Sequence, residues 1–184
     1  GSTCNASLFV GGTMDQKVYE LINNQINKEL YSGYLYLSFA DYYEDEGLSG
    51  FANWYFVQAQ EERDHALIMR KYLLDNDCKV TLTAIDAPDM TFTDHIAPIK
   101  AALEHEKYVT SLINDIYAAA DAVKDYRTMK FLDWFVDEQL EEEANANDLL
   151  TRMKLFGTDA KALYDLDQEY AARTYTQAAP LAAN

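Results

Sequence analysis

A carboxylate in the middle of an apolar helical stripe is among the costliest placements a chain can make, and this chain makes it four times. Glu62 lies in the run Phe51, Tyr55, Gln58, Glu62, His65, Met69, Tyr72, whose helical spacing otherwise marks an inward face. Burying such an acid uncompensated costs several kcal/mol or keeps it protonated, so it needs a partner of positive charge. A metal ion is such a partner. The same intrusion recurs at Glu29, at Glu106 and between Glu138 and Glu142, each time inside a long helical pattern. One intrusion is noise; four define a site and require a fold that brings long helices side by side.

Composition agrees with that requirement. The 184 residues include only seven Gly and three Pro, widely spaced, so a few long elements in a single all-α domain are expected. Fifteen basic against 31 acidic side chains leave a formal charge of −16, which argues against nucleic acid and anionic membranes as partners and favours cations. Charge alone is equally consistent with mere solubility. Cys4 and Cys78 sit in unrelated contexts and form neither a CxxC motif nor a disulfide framework, which fits a reducing cytoplasm. No apolar run is long enough to span a bilayer, and no secretory signal pattern opens the chain. The expected location is cytoplasmic. Residues 1–13, GSTCNASLFVGGT, are small and aperiodic and read as an expression remnant or disordered tail.

Helix one is expected from about Asp15 to Tyr43 on the stripe Val18, Ile22, Gln25, Glu29, Gly33, Tyr36, Ala40, Tyr43, and helix two from near Ser49 to about Asn76. Each would be about 40 Å long, far above the globular mean, which points to a bundle. The stretch Asp77 to Phe92 has no helical period and is long for a bundle connection. Such a strand can travel the bundle's length, so helices two and three are expected to run parallel. Helix three is predicted from Asp94 or His95, with Pro98 in its first turn, through Leu103, Glu106, Thr110, Ile113 and Tyr117; helix four from about Asp125 to Leu155. Gly157 is expected to stop helix four, and Thr158 to cap a short fifth helix through Ala162, Leu163, Leu166 and Tyr170. One domain over 14–172 followed by a flexible tail over 173–184 is the predicted organisation.

Glu62 and His65, three residues apart, offer a carboxylate and an imidazole to one ion. By itself E-x-x-H is a weak signal; its place on the apolar stripe strengthens it. Glu29 has Tyr36 two turns along the same face, Glu106 sits among Leu103, Thr110 and Ile113, and Gln139 and Glu142 repeat the three-residue spacing on helix four. Four or five carboxylates with one imidazole suit iron, with manganese and zinc as rivals, and exclude cysteine-based structural zinc. Sharing of Glu62 between two ions is a hypothesis at this point.

The stretches KELYSGYLYLSFADYY, FVQAQEERDHALIMRKYL, LEHEKYVTSLIND and FLDWFVDEQLEEE resemble, in order and spacing, the four helices of a bacterial non-haem ferritin, from Met14 to about Tyr170. The resemblance implies a ferritin-like four-helix bundle with a long crossover between helices two and three and a short fifth helix. It implies a first iron site of Glu29, Glu62 and His65, and a second of Glu62, Glu106 and Glu142 with Gln139 beside it. Tyr36 matches a tyrosine near the centre that could donate an electron, and Glu61, Glu138 and Glu141, with Glu142, match a third iron site. The activity implied is ferroxidase: Fe(II) oxidation with dioxygen or peroxide, and storage of ferric mineral in a homo-oligomeric shell of twenty-four subunits. Bacterioferritin carries a second E-x-x-H and a haem-ligating methionine where this chain has Gln139, Glu142 and Arg63, so no haem is expected. Rubrerythrin's Cys-rich module and the mini-ferritin His and Asp spacing are not seen.

Other residues carry less. His95 and His105 are expected on solvated faces, and Trp54, Trp134 and most tyrosines in core and subunit contacts. The run EQLEEE also fits a solvated face, except that Glu138 and Glu142 share the inward stripe of Phe131, Phe135 and Leu149. A metal buffer or shell subunit without fast oxidation is the alternative function.

Overall fold

The computed structural model describes residues 14–88 and 91–182. Its helices are α1 (Gln16–Asp45), α2 (Ser49–Asp75), α3 (Ala97–Ala122), α4 (Tyr126–Phe156), α5 (Ala160–Ala171) and a one-turn α6 (Ala179–Ala182). The predicted bundle is present, with boundaries close to those expected. Residues 1–13 lie outside the described residues.

Side-chain caps set most of the starts. Asp15 accepts from the backbone N–H of Lys17 and Val18, and Asp125 from that of Thr128. Helix three begins later than predicted because Asp94 stays outside it and accepts from the Ala97 N–H at 2.8 Å. Asp159, not Thr158, caps α5, accepting from Ala162 N–H at 2.8 Å. α2 borrows its cap: Asp167 Oδ1 on α5 accepts from Gly50 N–H at 2.8 Å and Phe51 N–H at 3.0 Å. A Cβ on Gly50 would lie 1.6 Å from the Asp167 carbonyl oxygen, so the approach that makes this long-range cap demands glycine. Gly157 ends α4 with an ordinary right-handed φ of −70°. What requires glycine there is space, since a Cβ would come within 2.5 Å of the Met153 carbonyl.

The connection from α2 to α3 runs beside α1 from one end to the other. Tyr19 donates to the Lys79 carbonyl, Asn23 exchanges hydrogen bonds with Thr81, Asn27 donates to the carbonyls of Thr83 and Ala84, and Tyr43 donates to that of His95. Side chains of α1 thus satisfy backbone groups along this extended segment. The segment delivers α3 to the end where α2 begins, so α2 and α3 are parallel, as predicted.

The apolar core is in two pieces. One surrounds Val18, Ile22, Met69, Leu73, Ile113, Ile116, Leu132 and Phe135. The other surrounds Leu35, Phe39, Tyr43, Phe51, Tyr55, Ile99 and Met153. Between them lies a buried polar belt: Gln25, Glu29, Ser32, Gln58, Glu62, His65, Glu106, Gln139 and Glu142. Gly33 lets α1 approach α2 at this level, where a Cβ would lie 3.1 Å from the Ala59 carbonyl oxygen.

The segment after α5 lies as a strap on α2 through residue 182. Tyr175 donates to Asp64 Oδ2 at 2.7 Å, the Ala178 N–H donates to the same oxygen at 3.0 Å, and Ala178 and Leu181 join the first core. A carboxylate buried on the outer side of α2 ties it down, which helical periodicity alone does not reveal. Cys78, read as an unconnected thiol, is disulfide-bonded. Among the described residues no helix is long and apolar enough to cross a membrane.

Candidate metal centre

All four bundle helices contribute to the belt. Glu29 comes from α1 and Glu62 and His65 from α2; each offers a ligand atom within 4.8 Å of the others. His65 Nδ1 lies 3.6 Å from Glu29 Oε2 and 3.3 Å from Glu62 Oε2, close enough for attraction, but it forms no hydrogen bond. Its ring stands edge-on to Trp134 and Phe135, with centroids 5.5 and 5.9 Å away, which fixes its plane. One turn before each acid stands an amide: Gln25 donates to Glu29 Oε1 at 3.0 Å, and Gln58 donates to Glu62 Oε1 at 3.1 Å.

A second group of Glu62, Glu106 and Glu142 meets the same distance limit. Tyr36 donates to Glu106 Oε1, Gln139 Nε2 donates to Glu106 Oε2 at 3.2 Å, and Gln58 Nε2 donates to Glu142 Oε2 at 2.6 Å. Beside it is a cavity of about 20 Å³ lined in part by Gln58, Glu106 and Glu142, room for one water-sized guest. His65, Glu138 and Glu142 form a third group, with Glu138 Oε1 3.8 Å from His65 Nε2.

These carboxyls are not shifted in one direction. Burial and the Glu106 charge push Glu62 and Glu142 well above their ordinary range, and burial raises Glu106 against the hydrogen bonds from Tyr36 and Gln139. Burial also opposes ionisation of Glu29, but the attraction of His65 outweighs it and holds Glu29 below its usual range. His65 is shifted the other way: although burial disfavours its charge, Glu62, Glu138 and Glu29 hold it well above an ordinary imidazole.

The donor set fits metal ions on an observation independent of spacing. Glu29 Oε2, Glu62 Oε2, His65 Nδ1 and Gln139 Oε1 are buried and have no hydrogen-bond partner. Native interiors rarely leave such atoms unpaired. Here three of them are carboxyl or amide oxygens and the fourth is an imidazole nitrogen that becomes a lone-pair donor on losing its proton, all in one layer and of the type that iron, manganese and zinc accept.

Glu29, Tyr36, Glu62, His65, Glu106, Gln139 and Glu142 all come together, with Glu138 at the edge. Glu61 and Glu141 belong to none of the three groups among the described residues. Glu61 is engaged by Arg173, whose Nη2 donates to it at 2.6 Å, and Glu141 is exposed. His105 is not on a solvated face. Its Nε2 is 2.7 Å from Ser32 Oγ, its ring packs near Tyr31, Tyr36 and Tyr108, and burial holds it down at about 4. His95 is one-third exposed beside Glu46. Sequence reasoning gave no role to Gln25 or Gln58, although a glutamine one turn ahead of an inward glutamate on two successive helices was a readable repeat.

The family profile described as a ferritin-like domain matches residues 19–156. The bacterial non-heme ferritin of Campylobacter jejuni is 36% identical over 155 residues, covering 84% of this chain and 93% of its own length. That of Staphylococcus aureus strain USA300 is 33% identical over 164 residues, covering 89% and 99%. The open pore ferritin of the hyperthermophilic archaeon Archaeoglobus fulgidus superposes with a TM-score of 0.86 at 41% identity, covering 88% of this chain and 98% of that one. A metal-fitting polar belt inside this bundle, and relatives matched over nearly their whole length, lead to one conclusion: the chain belongs to the ferritin family.

Proposed function

We propose that the protein stores iron and that its polar belt is a ferroxidase centre, with Fe(II) as both substrate and cargo. The observation that carries this reading is the pair of adjoining ligand groups that share Glu62 and retain unpaired donor atoms. Glu29, Glu62 and His65 would hold one Fe(II), and Glu62, Glu106 and Glu142 the other, with Gln139 beside the second. Each Fe(II) gives up one electron, so a pair reduces one dioxygen to hydrogen peroxide with uptake of two protons, leaving two Fe(III). Burial shifts Glu62, Glu106 and Glu142 upward, so cation binding in this layer competes with protons. Tyr36, a neutral donor to Glu106 with its own ionisation strongly suppressed by burial and by Glu106, orients that carboxylate.

Glu138 stands where a third ion could sit between His65 and Glu142 and pass onward. Storage requires an enclosed volume that a single bundle lacks, so the proposal includes a homo-oligomeric shell of twenty-four copies, its strongly acidic composition suited to gathering cations. Cytoplasmic residence is also part of it; the Cys78 disulfide is the observation against that, since disulfides mark oxidising compartments, and cell fractionation decides. Stopped-flow absorbance after mixing the metal-free protein with Fe(II) and oxygen tests the catalytic reading. A fast phase saturating at two iron per chain supports it, whereas binding without fast oxidation establishes a buffer.

A further inference from the structure

Arg173 lies beyond α5 and outside every group able to ligate a cation, yet its guanidinium reaches the centre through one intermediary. Nη1 donates to the Trp54 carbonyl at 3.0 Å, and Nη2 donates to Gln58 Oε1 at 3.0 Å and to Glu61 Oε2 at 2.6 Å. Cζ sits 4.1 Å from the Trp54 ring centroid, a stacking distance. The backbone of Arg173 is itself clamped, because Asn53 Nδ2 on α2 donates to its carbonyl at 2.9 Å. Tyr175 and Ala178, both bonded to Asp64, hold the strap just beyond it.

Gln58 is buried between this guanidinium and two carboxylates, Glu62 and Glu142. An amide has one end that accepts and one that donates, while a guanidinium only donates. Only the amide oxygen can satisfy Arg173, so the NH₂ of Gln58 must face the centre. The flipped amide would aim its NH₂ at a guanidinium that itself only donates, leaving Arg173 without its acceptor in a buried place.

We infer that Arg173 is a positioning residue for the metal centre: it fixes the Gln58 amide so that one NH₂ holds both Glu62 and Glu142, the carboxylates the second ligand group combines with Glu106. The inference rests on the reading of the belt as a metal site. Partners of this kind, one step removed from the ligands, commonly change metal affinity by about 10- to 100-fold when lost. An Arg at this position also explains why Glu61 stays out of the ligand groups, its nearest cation being covalently part of the chain.

Anaerobic titration with Co(II), followed by its d–d absorption, tests this on the assembled protein without relying on turnover. Absence of any cobalt spectrum in the unaltered protein would remove the metal-site reading itself, an outcome distinct from any effect of the variants. Given two binding steps, Arg173→Ala is expected to weaken the later step on the order of tenfold with a changed band shape. Arg173→Lys, a point charge without the fork, is expected to weaken it too. In a Gln58→Leu background the Arg173→Ala effect should vanish, because the intermediary is gone. Unaltered cobalt binding in Arg173→Ala overturns the inference, as does a loss that persists undiminished beside Gln58→Leu. Should Arg173→Ala fail to assemble, Arg173→Lys decides by the same comparison: unaltered binding overturns, and weakening absorbed by Gln58→Leu supports.

Discussion

The two ligand groups of the belt are built from the same residue type in the same layer, and they solve the problem of buried charge in opposite ways. Around Glu29, His65 supplies a positive charge inside the protein, and the carboxyl is held below its usual range. Around Glu142 there is no cationic side chain in the group, only the amide of Gln58, and the carboxyl is pushed well above it by burial and by Glu106. Glu62 belongs to both groups and behaves like the second, because burial and Glu106 outweigh what His65 offers. The direction of a buried glutamate's shift is thus set by the balance of burial, neighbouring carboxyls and counter-charge: Glu62 is raised although His65 Nδ1 is nearer to it, at 3.3 Å, than to Glu29, at 3.6 Å. In the half around Glu142 the upward shifts make protons the competitors of a cation.

The harshest way to break the comparison is to delete the residue the halves share. Glu62→Ala is expected to slow fast Fe(II) oxidation by roughly 100-fold or more while assembly survives, because the change removes a buried acid without disturbing either apolar core. Stopped-flow rates beside size-exclusion profiles check it; near-normal rates would show that the groups do not share Glu62.

Opposed stability effects should separate the halves next. In the metal-free protein Glu29→Gln leaves His65 short of its partner and is expected to cost about 3 kcal/mol. Glu142→Gln removes an acid that resists ionisation and should instead stabilise by roughly 1–3 kcal/mol near pH 8, since Gln58 can still donate to the new side-chain oxygen. The pH dependence has opposite signs in the two. Glu142 has a folded pKa above its unfolded value of 4.5, so its contribution is fully present below about pH 4.5 and is lost as pH rises through the folded value. Glu29, lowered from the same value, contributes above about pH 4.5, and its contribution is lost as pH falls through the folded value. Denaturant unfolding across pH should therefore show the alkaline decline flattened in Glu142→Gln and the acid decline flattened in Glu29→Gln. Changes of the same sign in both would erase the distinction.

A smaller effect is expected at Tyr36. Tyr36→Phe removes the donor to Glu106 and should cost about 1 kcal/mol, with a fast oxidation phase slowed less than by Glu62→Ala. Unfolding curves and single-turnover rates measure the two parts. Least affected should be the first turnover of Glu138→Ala/Glu141→Ala, since Glu138 lies at the edge and Glu141 is exposed. Later turnovers should change if Glu138 passes ions onward; multi-turnover traces superimposable on the parent at every iron load would retire that role.

Much of the molecule is legible in the sequence. Long helices, their order, the travelling connection and the inward positions of Glu29, Glu62, His65, Glu106, Gln139 and Glu142 are consequences of periodicity, because helical geometry ties face to spacing and is local. Two of the contacts that refine the site are not local. Glu61, one residue from Glu62, is placed with the ligand set by likeness to a family pattern, but it meets an arginine 112 positions later in the chain. His105 looks solvated from its neighbours Glu104 and Glu106, yet it is covered by Ser32 and by three tyrosine rings from two helices.

By itself the sequence determined the bundle and the inventory of donors, since a helix's buried face is set by residues within a few turns of one another. The tertiary structure alone decided in which direction each buried carboxyl is shifted, which way the Gln58 amide points, and that the segment after α5 is a strap. Those outcomes depend on distances between groups far apart in the chain, and both electrostatic attraction and hydrogen bonding are functions of distance in space, not of separation along the sequence.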